Sequence, residues 1–152
     1  MIDTDHDRAT ATSRKGRRSL GPALVVEDDG MIALDIAEAL AEAGADPVVT
    51  CSSIAEAMEH LAHTIPAVLV LDVHLADRDD GWALAELAMQ LGEARPLVVF
   101  TTATPESIPA SAARLGHVLP KPFRTDELIA LVFRQKPAGI IRRIRGAFSN
   151  LT

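Results

Sequence analysis

Four short polar runs interrupt the apolar stretches of this sequence, and each carries residues able to handle charge. Glu27-Asp28-Asp29 follows Leu24-Val25-Val26, Asp72 follows Val68-Leu69-Val70-Leu71, Thr101-Thr102 follows Val98-Val99-Phe100, and Lys121 stands within Leu119-Pro120-Lys121-Pro122-Phe123. Carboxylates gathered in one place repel one another and raise each other's pKa unless a cation lies among them. A few hard oxygen ligands suit Mg²⁺, which keeps several waters and takes one or two carboxylates plus a phosphate oxygen. Lys121 is the only lysine between residues 21 and 133, and its apolar context suggests a fixed positive charge. An aspartate, a divalent cation, an ammonium and a hydroxyl form a set for phosphoryl transfer. The carboxylate attacks phosphorus while the others stabilise charge on the oxygens. Asp72 is the nucleophile candidate because its run is central. Acidic residues after strands also commonly cap the next helix. That plainer role is assigned to Asp29 and Asp126, whereas four matching runs at once favour a site.

These runs meet only if the apolar stretches before them are strands of one sheet. Five such stretches occur: 23–26, 47–50, 67–71, 97–101 and a weaker one at 117–119. The third and fourth are continuously apolar, as expected where helices cover both faces of a parallel sheet. Helical patterns lie between them. Ile32, Ile36, Ala39, Leu40 and Ala43 share one face, with Gly44 as the stop. Ser53 and Glu56 have capping-box spacing ahead of a face of Ile54, Ala57, Met58 and Leu61. A third helix buries Leu84, Leu87, Ala88 and Leu91 and ends at Gly92, and a last one begins near Thr125 with Leu128, Leu131 and Val132 facing inward. The fourth has two readings, one starting at a Thr104-Pro105 cap with Pro109 obstructing its next turn, the other a short helix starting at Ser107. Strand and helix alternate five times, which predicts a doubly wound α/β sheet with its ligand beyond the carboxyl ends of the strands.

At 152 residues the chain has room for one domain with tails, and aromatics are only 3% with no Tyr, so the core is aliphatic. Residues 21–133 hold eighteen Asp and Glu against five Lys and Arg, while both ends are basic. That acidic body argues against nucleic acid as a ligand. No apolar run approaches the roughly 20 residues that span a bilayer, so a cytoplasmic protein without a membrane partner is expected. The lone Cys51 reads as a small buried hydrophobe. The division expected is a disordered arm over 1–20, one domain over 21–134 and a basic amphipathic tail over 135–152. In that tail Ile141, Ile144, Phe148 and Leu151 share a face beside Arg142, Arg143 and Arg145. Such a segment suits a membrane surface or an acidic protein face, and folding back on the chain's own acidic domain is the preferred reading.

From about Ala23 to Phe133 the chain resembles a response-regulator receiver domain of two-component signalling. The resemblance lies in Val25-Val26-Glu27-Asp28-Asp29, Leu71-Asp72-Val73-His74-Leu75, Val99-Phe100-Thr101-Thr102-Ala103 and Lys121-Pro122-Phe123. It implies a flavodoxin-like, five-stranded parallel sheet in the order 2-1-3-4-5. It also implies that Asp72 accepts a phosphoryl group from a histidine kinase or a histidine phosphotransfer protein. By the same resemblance Asp28 and Asp72 are direct Mg²⁺ ligands, the His74 main-chain carbonyl is a third and Glu27 acts through water. Thr101 is then the phosphate-sensing hydroxyl, and Lys121 the phosphate-binding ammonium before a cis bond to Pro122. The phosphoacceptor catalyses its own phosphorylation and dephosphorylation and is not an enzyme in the ordinary sense.

Three departures stand out. The loop Ala76–Gly81 is one residue longer than the family's. Thr102 stands where Ala or Gly is usual, which bears on access to the phosphate or its lifetime. Val118 replaces an aromatic that swings inward on activation, so signal transmission is expected to differ. The Phe-Thr-Thr wording resembles stand-alone receivers of alphaproteobacteria that work with atypical histidine kinases. With no effector domain expected, output runs through contact with a downstream protein or through competition for phosphate. Residues 103–116 are expected to be the most mobile part of the domain and to order on phosphorylation. One alternative is an unphosphorylated receiver-like interaction module. A phosphatase of the haloacid-dehalogenase type fits poorly, because His74 stands where a second acid is needed.

Overall fold

The protein is described by a computed structural model covering residues 19–75 and 80–136. The arm through residue 18, most of the loop at 76–79 and the tail from residue 137 lie outside the described residues. So do the expectations placed on them. Five strands form: β1 Gly21–Val26, β2 Ala45–Cys51, β3 Val68–Asp72, β4 Leu97–Thr102 and β5 His117–Pro120. They make one sheet in the order β2-β1-β3-β4-β5, parallel throughout. This is the doubly wound, flavodoxin-like fold with the expected strand order. The chain reverses its direction of travel between β1 and β3, and the crevice of such a sheet opens at that point.

Strand alternation sorts the apolar residues between two layers. Leu24, Val26, Leu69, Leu71, Val98 and Phe100 face one side, where they meet Ile54, Ala57, Leu61, Leu84, Ala85 and Ala88. Ala23, Val25, Val68, Val70 and Val99 face the other, against Ile36, Leu40, Leu128 and Val132. Both faces of the central strands are therefore covered, which is why their sequence shows no polar alternation.

The helices are α1 Gly30–Glu42, α2 Ile54–Leu61, α3 Trp82–Gln90, α4 Ala110–Ala113 and α5 Thr125–Gln135. Asp29 caps α1, its carboxylate accepting from the amides of Met31 and Ile32 at 3.0 and 3.1 Å. Gly44 follows that helix at φ +112°, a conformation costly for other residues. Ser53 Oγ accepts from the Glu56 amide at 3.2 Å, and Glu56 reaches back to the amide of Ser52 at 2.7 Å. Asp126 does not cap α5. Arg124 holds the cap position, and Asp126 lies in the first turn, paired with that arginine.

Two of the expected inward residues face solvent. Met58 is 44% exposed because α2 is only eight residues long and buries the narrow stripe Ile54, Ala57 and Leu61. Leu91 is 43% exposed because α3 has already ended at Gln90. The fourth helix is broken more deeply than its sequence suggests. Pro105–Ser107 forms one 3₁₀ turn, and α4 is a separate four-residue helix beginning after Pro109. Ile108 between them is extended, at φ −78° and ψ 122°, as the residue before a proline prefers. Among the described residues no helix is long and apolar enough to cross a membrane.

Candidate functional site

Parallel strands deliver their last residues to one edge of the sheet, and here that edge gathers the charges. Glu27 follows β1, Asp72 ends β3 and Lys121 follows β5. Glu27 and Asp72 are buried. The Lys121 ammonium lies 3.1 Å from Glu27 Oε2 and 3.1 Å from Asp72 Oδ2, bridging both carboxylates. The other Asp72 oxygen, Oδ1, accepts from the main-chain amide of His74 at 3.0 Å. The peptide bond from Lys121 to Pro122 is cis, and so is the one from Asp46 to Pro47.

Two carboxylates share one ammonium, and the electrostatics reflect that shortage of positive charge. Burial raises the pKa of Glu27 above its ordinary value, and the neighbouring Asp72 charge raises it further against the opposing pull of Lys121. Burial by itself would lower the pKa of Lys121. The Asp72 charge and the hydrogen bonds to both carboxylates outweigh it, so the ammonium is held charged.

Asp28, which is exposed, completes an acidic group. Carboxylate oxygens of Glu27, Asp28 and Asp72 all lie within 4.8 Å of one another. An all-oxygen set with an exposed member and excess negative charge fits a hard cation such as Mg²⁺ that keeps part of its water.

Thr101 is the register partner of Asp72 across β3 and β4. It is fully buried, and its hydroxyl has no hydrogen-bond partner among the described residues. Leaving a buried hydroxyl unpaired costs about 1–3 kcal/mol, so this orphan beside the central carboxylate marks a place where an oxygen-rich group can be met. Thr102 is buried too, but its hydroxyl is engaged, accepting from the Thr104 amide at 3.0 Å. Val118 pairs with Phe100 and lies half-buried against the core beneath α2 and α3.

Three further residues shape the site, and sequence reasoning gave them no part in it. Gly81 packs against the end of β3, where a Cβ would stand 3.0 Å from the Asp72 carbonyl oxygen, so a side chain there would push on the strand that carries Asp72. The Asp80-Gly81 pair was the available signal, since such dipeptides mark tight turns. Thr104 and Ser107 form hydrogen bonds with the His74 imidazole. Nothing in the sequence pairs residues so far apart.

Comparison with known proteins agrees with this fold. Residues 23–133 match the family described as the response regulator receiver domain. The DNA-binding transcriptional regulator NtrC of Escherichia coli (strain K12) is 36% identical over 115 residues, covering 72% of this chain and 24% of its own length. The chain thus spans about a quarter of that relative. Among solved structures, NtrX of Brucella abortus superposes with a TM-score of 0.67 at 26% identity, covering 84% of this chain and 30% of that one. A CheY-like receiver domain from Methylobacillus flagellatus gives 0.66 at 24% identity, over 75% and 97% of the two chains.

Proposed function

The chain belongs to the response regulator receiver domain family, and from that membership we propose that Asp72 accepts a phosphoryl group from a phosphohistidine on a histidine kinase or a histidine phosphotransfer protein. A carboxylate oxygen of Asp72 bonds to phosphorus as the phosphorus–nitrogen bond breaks, and the imidazole leaves with the electron pair and takes up a proton. Hydrolysis of the acyl phosphate later returns the carboxylate and inorganic phosphate. Glu27, Asp28, Asp72 and the His74 main-chain carbonyl are the groups that would hold Mg²⁺, which supplies positive charge to the transferring oxygens. Lys121 adds a fixed positive charge on the Asp72 side. Thr101 donates its hydroxyl to a phosphoryl oxygen and so gains the partner it lacks.

The observation that carries this reading is the buried Asp72 carboxylate, bridged by an ammonium and register-paired with a threonine whose hydroxyl has no partner among the described residues. A purely structural ion pair has no use for such an orphan. The domain undergoes one modification per cycle and turns over no separate small substrate. Its proposed setting is the cytoplasm, its Mg²⁺ the ordinary intracellular ion, and its output a contact with a downstream protein that depends on the state of Asp72.

Acetyl phosphate with Mg²⁺ tests the reading. Intact-mass measurement should show the gain of one phosphoryl group on the wild type, none on Asp72→Ala and none when the metal is chelated. An unlabelled wild type, as an interaction module that is never phosphorylated would give, rejects the proposal. So does label persisting on Asp72→Ala.

A further inference from the structure

We infer that the His74 side chain couples the state of Asp72 to the segment following β4, an inference that rests on the phosphoacceptor reading above. The connection is continuous. The His74 amide donates to Asp72 Oδ1 at 3.0 Å, and the imidazole Nε2 of the same residue lies 2.9 Å from Thr104 Oγ1 and 3.2 Å from Ser107 Oγ. Those two hydroxyls are 3.2 Å apart, and Ser107 Oγ also donates to the Thr104 carbonyl at 2.7 Å. The Thr104 amide is fixed in turn by Thr102 Oγ1 at 3.0 Å. One residue therefore contacts the nucleophile through its main chain and the first turn of the neighbouring segment through its ring.

The two strand ends joined by this latch are the two that phosphorylation disturbs. Turning the Asp72 carboxylate into an acyl phosphate removes negative charge from the oxygen that His74 addresses, which weakens a charge-assisted bond and frees the main chain after β3. The Thr101 hydroxyl meanwhile turns towards a phosphoryl oxygen and draws on the end of β4, three residues before Thr104. A displacement of either end passes through the imidazole to Thr104 and Ser107, and so to the 3₁₀ turn and α4.

Among the described residues, little else holds that stretch. Between Ala103 and Gly116 only Ile108 and Ala112 are buried, so a few hydrogen bonds form a large share of its anchorage. The route also avoids position 118, where Val118 has no polar group or ring to carry a signal.

Amide hydrogen exchange on the full chain, free and with beryllofluoride and Mg²⁺, tests the coupling. Acetyl phosphate labelling read by intact mass runs in parallel, so that failure of the phosphoacceptor reading is seen separately. Wild type should respond in two places, residues 71–75 and residues 104–113. Ser107→Ala should still be labelled on Asp72; His74→Ala, whose main-chain amide and carbonyl remain, should respond at 71–75 but lose the response at 104–113. In its free form it should exchange about fivefold faster at residues 104–108, the loss expected for about one net hydrogen bond. Ser107→Ala should reproduce part of the defect, and His74→Gln, which keeps a side-chain donor, should restore part of the response. A His74→Ala protein that responds at 104–113 as the wild type does overturns the inference. So does a labelled wild type with no response there, and a wild type that takes no label removes the reading on which the coupling stands.

Discussion

On one flank of the crevice Glu27, Asp72 and Thr101 stand at the ends of strands whose side chains are buried on both faces, and helices cover both sides. On the other flank, from Ala103 to Gly116, the chain forms one 3₁₀ turn and a four-residue helix, and hydroxyl and imidazole bonds tie its first turn. The first flank resists a change at Asp72, since moving any strand end there disturbs two packed layers. The second is expected to yield, because only Ile108 and Ala112 of that stretch are buried. A receiver needs both: a site that keeps its geometry through the chemistry, and a neighbour that a small electrostatic change can move.

Equal truncations on the two flanks should give unequal costs. Leu71→Ala, at a fully buried position beside Asp72, should destabilise the fold by about 3–4 kcal/mol, whereas Ile108→Ala should cost about 1–2 kcal/mol because the site can collapse around it. Urea denaturation of the two variants measures this directly. Similar costs would mean that the segment after β4 is packed as firmly as the sheet.

Lys121→Met tests the site's charge balance. Removing the ammonium leaves Glu27 and Asp72 facing each other without a cation, at a cost of about 2 kcal/mol near neutral pH; partial exposure of Lys121 keeps it below a fully buried pair. Millimolar Mg²⁺ should recover part of that stability by taking the place of the ammonium. If the variant unfolds at the wild-type urea concentration without metal, the bridge is not holding the two carboxylates together.

The elements of the stiff flank were legible in the sequence, and those of the yielding flank largely were not. Continuous apolar runs such as Val68–Leu71 fit strands buried on both faces, so the gathering of Glu27, Asp72, Thr101 and Lys121 at one edge follows from local pattern and strand–helix alternation, while the strand order came from the family resemblance. Helix α4 was legible only as an interruption. Pro109 signals a break, yet where the chain resumes depends on Ile108 finding the core and on bonds between His74, Thr104 and Ser107, which are distant in sequence. The same holds for Lys121, whose apolar context announced a fixed charge but not that it would bridge two acids. Met58 and Leu91 show the limit of periodicity, which assigns a face but not where a short helix stops covering it.

Acid titration should produce a smaller effect on the stiff flank. The Glu27 carboxyl is raised from its ordinary 4.5 in the folded chain. Between 4.5 and that raised value the native state holds a proton that the unfolded chain has released. The corresponding stability is fully present below the ordinary value and is lost as pH rises through the raised one. Without divalent metal, the stability difference between wild type and Glu27→Gln should therefore shift against the wild type as pH rises through this window. A difference that stays constant with pH would mean that Glu27 is not desolvated as its burial implies.

The smallest effect is expected where nothing is removed, at the native thiol of Cys51. This residue ends β2, and its carbonyl accepts from the Glu27 amide at 3.0 Å, so it lies within the stiff flank and reports on that flank's opening. Burial pushes its pKa up from 9.0 to about 11, with the Glu56 charge adding to the shift, so almost no thiolate exists near neutral pH. The neutral thiol contributes stability that is present below 9.0 and is lost only as pH rises through about 11. A disulfide reagent at pH 8 should therefore leave the folded protein essentially unmodified over the time in which the urea-unfolded chain reacts completely. Any residual rate should follow global unfolding and drop further with Mg²⁺ if the metal tightens the Glu27 side of the crevice. Fast modification of the folded chain, unaffected by metal, would show that the end of β2 opens locally. The contrast between a stiff chemical flank and a yielding output flank would then have to be redrawn with β2 on the yielding side.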